Sequence, residues 1–204
     1  VKLCQTMAMP AVGLTDTGNL FGALEASTLC ADAGIQPIIG VQLAIRRDEA
    51  APARDGRRPE PDWLVLLCQN EAGYLNLLKL VSKAFLETEA GETPQVPLAE
   101  LEARADGLLC LTGGPAGPVG RLLAEGQTDK AEAVLSRLAA AFSGRLYVEL
   151  MRHGLEVEDR IEPALIALAY AGLCFEGGET LLRRVDRDLD RELARQILPD
   201  GGHA

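Results

Sequence analysis

Short apolar runs that alternate with stretches of helical periodicity constrain this chain more than any other feature. Pro10-Ala11-Val12-Gly13-Leu14 leads through Thr15-Asp16-Thr17-Gly18-Asn19 into a helical stretch over residues 20–33, with Leu20, Leu24 and Cys30 on its apolar side. Gly34 is placed to close that helix, and a second apolar run, Pro37 to Leu43, follows at once. Residues 62–68, 107–112 and 145–150 read as further strands. Helical spacing returns over 73–87 (Leu77, Leu78, Val81, Ala84, Phe85), 98–104, 119–125, 128–142 and 156–171 (Val157, Ile161, Leu165, Leu168). Strand and helix alternate at least five times, which predicts an α/β fold on a parallel sheet, doubly wound or closed as a barrel.

The links are polar. Residues 48–61 are charged and rich in Ala, Arg and Pro, and 88–96 form a second exposed link ending before Pro97. After a Gly-containing break at 175–178, residues 180–198 read as a charged helix with a narrow stripe of Leu182, Val185, Leu189 and Leu193. That stripe suits a surface helix or one that binds a partner. The organisation expected is an α/β domain over 1–173 and a separate helical tail over 174–204.

Charge narrows the function classes. Thirty acidic against 20 basic residues give a net charge of −10. This balance argues against direct binding to a phosphate backbone, which draws on clustered Lys and Arg. The five cysteines include no CxxC pair, so a zinc ribbon is not expected, and a reducing cytoplasm fits their spread. No apolar stretch approaches the length of a membrane span. The first residue is Val, with an element already under way, which suggests that the natural protein begins upstream.

Asp16 is the leading polar candidate, because the carboxyl end of a buried strand is where α/β folds collect ligands and catalytic groups. It is equally suited to cap the following helix through Gly18-Asn19-Leu20, a task Thr17 or Asn19 could share. Glu149 falls in a strand of buried character and so calls for a polar strand end or a partner, with Arg152 and His153 nearest in sequence. A metal centre needs four to six donors per ion. Asp16 and His153 alone cannot supply them, and Thr17 and Gln42 stand where further ligands would be wanted. The run Gly113-Gly114-Pro115-Ala116-Gly117 lacks a GK[ST] ending and loses an amide to proline, so it reads as a strand-to-helix turn rather than a phosphate loop. No GxSxG or HExxH occurs.

Several ordered blocks carry a resemblance. They are Leu14 to Ala23, Gly34 to Gly40, Asn70 to Leu78, Leu80 to Phe85, Gly107 to Gly114, and Tyr147 to Gly154. Together they resemble the amino-terminal PHP (polymerase and histidinol phosphatase) domain of bacterial DNA polymerase III alpha subunits, over residues 1 to 173. The resemblance implies a PHP-type (β/α)7 barrel, here incomplete, with first and last strands missing. It also implies membership of a replicative DNA-directed DNA polymerase whose partners are the rest of the alpha subunit and the proofreading exonuclease subunit, with DNA met only through the full polymerase. In some relatives this barrel binds metals and trims 3′ ends. Of the ligand positions the resemblance implies, only Asp16 and His153 are kept; Thr17, Gln42, Trp63 and Gly114 occupy the others. No metal is therefore expected in this segment, and the family's magnesium belongs to palm carboxylates outside it. A structural or subunit-docking role follows. The alternatives are a metal-dependent PHP phosphoesterase or 3′–5′ exonuclease, and a small α/β binding protein unrelated to replication.

Overall fold

The computed structural model describes residues 1–47 and 60–173. The expected loop over 48–61, apart from its last two residues, and the tail over 174–204 lie outside the described residues. In chain order the elements are α1 (Lys2–Thr6), β1 (Ala11–Thr17), α2 (Ala23–Asp32), β2 (Gln36–Arg46), β3 (Asp62–Cys68), α3 (Glu71–Glu87), β4 (Val96–Pro97), α4 (Leu98–Glu102), β5 (Leu108–Leu111), α5 (Pro118–Ala124), α6 (Thr128–Ala141), β6 (Leu146–Tyr147) and α7 (Glu156–Leu173). A 3-10 turn, Gly114–Ala116, links β5 to α5.

The sheet runs β1-β2-β3-β5-β6, and β4 pairs with the end of β2. It is mixed rather than parallel. β1 is parallel to β2 and β5 to β6, whereas β3 is antiparallel to both its neighbours. A parallel crossover needs a covering element, usually a helix. The charged stretch after β2 offers no apolar stripe for that purpose. Among the described residues β1 and β6 are the sheet's two edges, with no ladder joining them.

Helices bury one face of this sheet. Val41, Leu64, Leu66, Leu108 and Cys110 meet Leu77 and Leu80 of α3, Leu101 of α4, Leu135 and Leu138 of α6, and Ile161 and Leu165 of α7 in one apolar cluster. Each fully buried aliphatic side chain of this kind contributes about 1.5–3 kcal/mol. α3 starts where Asn70 Oδ1 accepts the Gly73 N–H at 3.0 Å. Elsewhere, Arg145 Nη1 donates to the carbonyls of Ala105 and Leu108, tying the start of β6 to the approach of β5.

Four expectations need correction. Leu24 is 81% exposed; α2 begins at Ala23 and turns that residue inward together with Cys30, which is buried as expected. On α3, Leu77 and Ala84 are buried as expected and Leu80 joins them, while Leu78 and Phe85 face out. Val96 is no part of an exposed link: it is fully buried as β4 against Ile45. The strand expected over 145–150 keeps only Leu146–Tyr147 in the ladder, because Glu149 spends its backbone N–H on the Thr112 hydroxyl.

Candidate functional site

Register decides which of the expected site residues meet. Residues directly opposite each other in a sheet point to the same face. One row across the sheet therefore reads Asp16–Val41–Leu66–Cys110–Leu146, and the next reads Thr17–Gln42–Val65–Leu111–Tyr147. The first row belongs to the helix-covered face, where Val41, Leu66 and Cys110 are fully buried. The second row lies on the opposite face, with Trp63 two residues before Val65 on the same side. Asp16 and Thr17, adjacent in sequence, thus stand on opposite faces.

Asp16 is a cap. Its Oδ2 accepts the Gly22 N–H at 3.1 Å, and Gly22 is the residue that opens α2. The contact is with Gly22 rather than the expected Gly18-Asn19-Leu20, whose own turn closes otherwise. Asn19 Oδ1 accepts from the Phe21 N–H and its Nδ2 donates to the Thr17 carbonyl. A methyl group on Gly22 would stand 2.9 Å from Asp16 Oδ2, so glycine is what lets the carboxylate approach.

His153 is likewise drawn into a helix start. Glu158, which is buried, accepts the backbone N–H of His153 at 2.7 Å and that of Leu155 at 3.2 Å; its other oxygen lies 2.8 Å from His153 Nδ1. This is a carboxylate in the first turn of α7 reaching back to the residues that precede it. The His153 bond, against the next-largest effect of burial and helped by the backbone N–H bonds, holds the Glu158 carboxyl below its usual range. The expected partners of Glu149 are engaged elsewhere, since Arg152 pairs with Glu162 and His153 with Glu158. Glu149 Oε2 accepts the Gly113 N–H at 2.8 Å instead. Burial pushes the Glu149 carboxyl up, with the Gly113 bond opposing.

Thr17, Gln42, Trp63 and Gly114 are used for packing and hydrogen bonding. Thr17 Oγ1 donates to Gln42 Oε1 at 3.1 Å, closing the pair across β1 and β2. Gly113 takes a left-handed φ of +75°, and any side chain there would strike the Trp63 carbonyl. Next to it, the space a side chain at Gly114 would need is filled by Met151, whose sulfur stands 2.7 Å from the ideal Cβ position. A hydroxyl, an amide, an indole and a glycine provide neither the imidazole nor the carboxylate or thiolate donors that a zinc or manganese centre takes. Among the described residues, no three His, Cys, Asp or Glu side chains form a group able to hold a metal ion. Asp16 on β1 and His153 just beyond β6 follow the two opposite edge strands of the described sheet. Of Asp16, Thr17, Gln42, Trp63, Gly114 and His153, only Asp16 and His153 carry side chains of metal-ligand type, and both are engaged at helix starts.

A charged network escaped the sequence reading. Asp62, buried at the start of β3, lies 3.2 Å from Arg47 Nε and 3.4 Å from Arg121 Nε, while Arg47 Nη1 reaches Glu125 at 2.9 Å. Burial raises the Asp62 carboxyl, and the two guanidiniums oppose that rise. Beside it lies a cavity of about 290 Å³ floored by Ile45, Leu98, Leu122 and Val134. Partners 15 and more residues apart leave no local signal in the sequence.

Comparison with known proteins converges on one family. The PHP domain model matches residues 1–153. The DNA polymerase III subunit alpha of Caulobacter vibrioides is 45% identical over 170 residues, 83% of this chain and 15% of that protein. The subunit of the same name from Treponema pallidum is 36% identical over 83% of the chain, and that from Thermus aquaticus 31% over 76%. The chain spans only 13–15% of the length of these relatives. On the family match and these identities, the chain belongs to the PHP domain family.

Proposed function

We propose that this chain works as the PHP domain of a DNA polymerase III alpha subunit, in a structural role rather than as a metal-dependent hydrolase. The observation that carries this reading is the reuse of the ligand positions: Asp16 and His153 serve helix starts, Thr17 bonds Gln42, and Met151 occupies the space beside Gly114. Hydrolysis of a 3′ end by the family's metal route needs cations to activate water and to hold the leaving oxygen. Neutral side chains at Thr17, Gln42 and Trp63 supply no purchase for them.

In this reading the six strands form an arc of a (β/α)7 barrel. Its partners are the remainder of the alpha subunit and the proofreading exonuclease subunit. Nucleotide transfer takes place on magnesium held by palm carboxylates elsewhere in the cytoplasmic enzyme, and DNA is met there. The test is assembly. The 204-residue chain is mixed with a polymerase III alpha subunit from which the corresponding domain has been deleted, and complex formation is followed by size-exclusion chromatography. A stoichiometric complex is expected. A chain that stays apart while releasing nucleotides from DNA 3′ ends in manganese would establish the phosphoesterase reading instead.

A further inference from the structure

The end of the sheet that faces α5 and α6 is not filled. β2 brings Ile45 to the helix-covered face there, and Leu98 opens α4 beside it. Over them, Pro118, Leu122 and Glu125 form one stripe along α5 and its end, and Lys130, Ala133, Val134 and Arg137 form another along α6. Between the two stripes lies the cavity of about 290 Å³ that adjoins Asp62. Thr17, Gln42 and Trp63 belong to the opposite face of the sheet, so the cavity is separate from the positions they occupy.

Its chemistry is divided. Ile45, Leu98, Leu122 and Val134 make the floor apolar. The polar end lies where β2 runs out and α6 begins. There Arg47 spends Nε on Asp62 and Nη1 on Glu125, while its buried Nη2 has no hydrogen-bond partner among the described residues. An unpaired buried donor is costly, and an acceptor brought by a ligand relieves that cost. Lys130 stands in the first turn of α6, where the helix dipole disfavours a cation and attracts an anion. Asp129, in the same turn, does not line the cavity. The two carboxylates of the lining, Asp62 and Glu125, are already paired with Arg47, and Asp62 with Arg121 as well. Arg137, also in the lining, is held by Glu102. An apolar floor with a cationic end selects a ligand divided in the same way.

We propose that this cavity binds a small aromatic carboxylate, with its ring against Leu122 and Val134 and its carboxylate toward Arg47 and Lys130. Size sets the class. A cavity of about 150 Å³ holds benzene, so one of about 290 Å³ takes a single ring with a short acidic arm. Small-molecule sites share this pattern, mostly apolar with a few polar groups that fix orientation. The ligand would bridge α5, α6 and the end of β2, and so stabilise the folded chain in proportion to its occupancy. The site stands whether or not the chain assembles with an alpha subunit, because none of its residues takes part in that reading.

The test is calorimetric titration of the full 204-residue chain with phenylpropionate, phenylpropanol and phenylpropylamine near neutral pH. One-site binding of the acid is expected. The alcohol should bind about tenfold more weakly, as loss of a charged hydrogen bond implies, and the amine not at all. Lys130→Gln should weaken the acid several-fold and leave the alcohol unchanged. Ala133→Trp, a substitution at an exposed position on the cavity wall, should abolish binding by occupying the ring's place. Should that variant not fold, the methyl resonances of Leu122 and Val134 in the parent chain locate the ligand instead. Acid that gives neither saturable heat nor a shift of those methyls overturns the proposal. Equal affinity for acid, alcohol and amine overturns it too, since the cationic end would then select nothing. Acid binding that survives Ala133→Trp, or that moves methyls elsewhere, places the ligand outside this cavity and overturns it as well.

Discussion

The two faces of the central sheet are built from the same strands in the same register, yet they obey different rules. On the helix-covered face, Val41, Leu66 and Cys110 are fully buried and packed against four helices. One residue along each strand, the opposite row holds Thr17, Gln42, Val65, Leu111 and Tyr147, none of which is fully buried. The first face is fixed by packing, where volume matters and chemistry hardly does. The second is held by hydrogen bonding and partial burial, with Thr17 donating to Gln42 across β1 and β2. Side chains on the second face can therefore change without touching the core that holds the sheet up.

The sharpest way to break this comparison is to cut the same strand on either side. Leu66→Ala should destabilise the chain by about 2–5 kcal/mol, since it empties a packed site. Val65→Ala, its neighbour on the other face, should cost less than half as much. Urea unfolding of the two variants reads the difference, and equal losses would mean that the second face is as much a core as the first.

Asp16→Ala comes next in size. Losing the cap on Gly22 should cost roughly 0.5–2 kcal/mol and fray the start of α2. Its amide exchange at Gly22 and Ala23 would rise with no change elsewhere in the sheet. A loss of stability spread across β2 and β3 would argue that Asp16 does more than cap.

The smallest effect separates the two carboxylates by pH. Burial raises the Glu149 carboxyl, so the folded chain holds that proton more tightly than the unfolded chain does. Its contribution is favourable below the ordinary carboxylate range and is lost as pH rises through the raised value. Glu149→Gln should therefore raise the melting temperature near neutrality and leave it unchanged near pH 4. Glu158 behaves in the opposite sense. Its carboxyl is lowered chiefly by His153, so its contribution is complete above the ordinary range and fades as pH falls through the lowered value. Glu158→Gln should destabilise at neutral pH and cease to matter in acid.

Much of the fold was legible because its helices carry clear stripes. Ile161, Leu165 and Leu168 of α7 are buried as their spacing predicts, and Gly34 closes α2 with a φ of +70°. α3 was harder, because Leu77, Leu78, Leu80 and Val81 crowd one stretch and several faces look equally apolar. Only the position of the sheet selects Leu80 over Phe85. Strand direction was not legible at all, since a period of two is the same in either sense; β3 therefore read as parallel when it is not. β4 was missed because two residues carry no period, although Val96 is fully buried.

The candidate site was legible as a set of positions but not as an arrangement. Thr17, Gln42, Trp63 and Gly114 were identifiable from the resemblance, and the sheet does bring Thr17 and Gln42 together. That Asp16 serves Gly22, six residues on, and that His153 serves Glu158 depends on how two turns fold back, which spacing alone does not encode. The Arg47–Asp62–Arg121 network joins distant segments and has no sequence signature.

The central claim is that the ligand positions have been converted to capping and packing. The most direct measurement is bound metal, by elemental analysis of the purified chain before and after exposure to zinc and manganese. The account predicts no metal above background, and Asp16→Ala and His153→Ala indistinguishable from the parent chain. Stoichiometric metal that disappears in either variant would contradict it and return the domain to phosphoesterase chemistry.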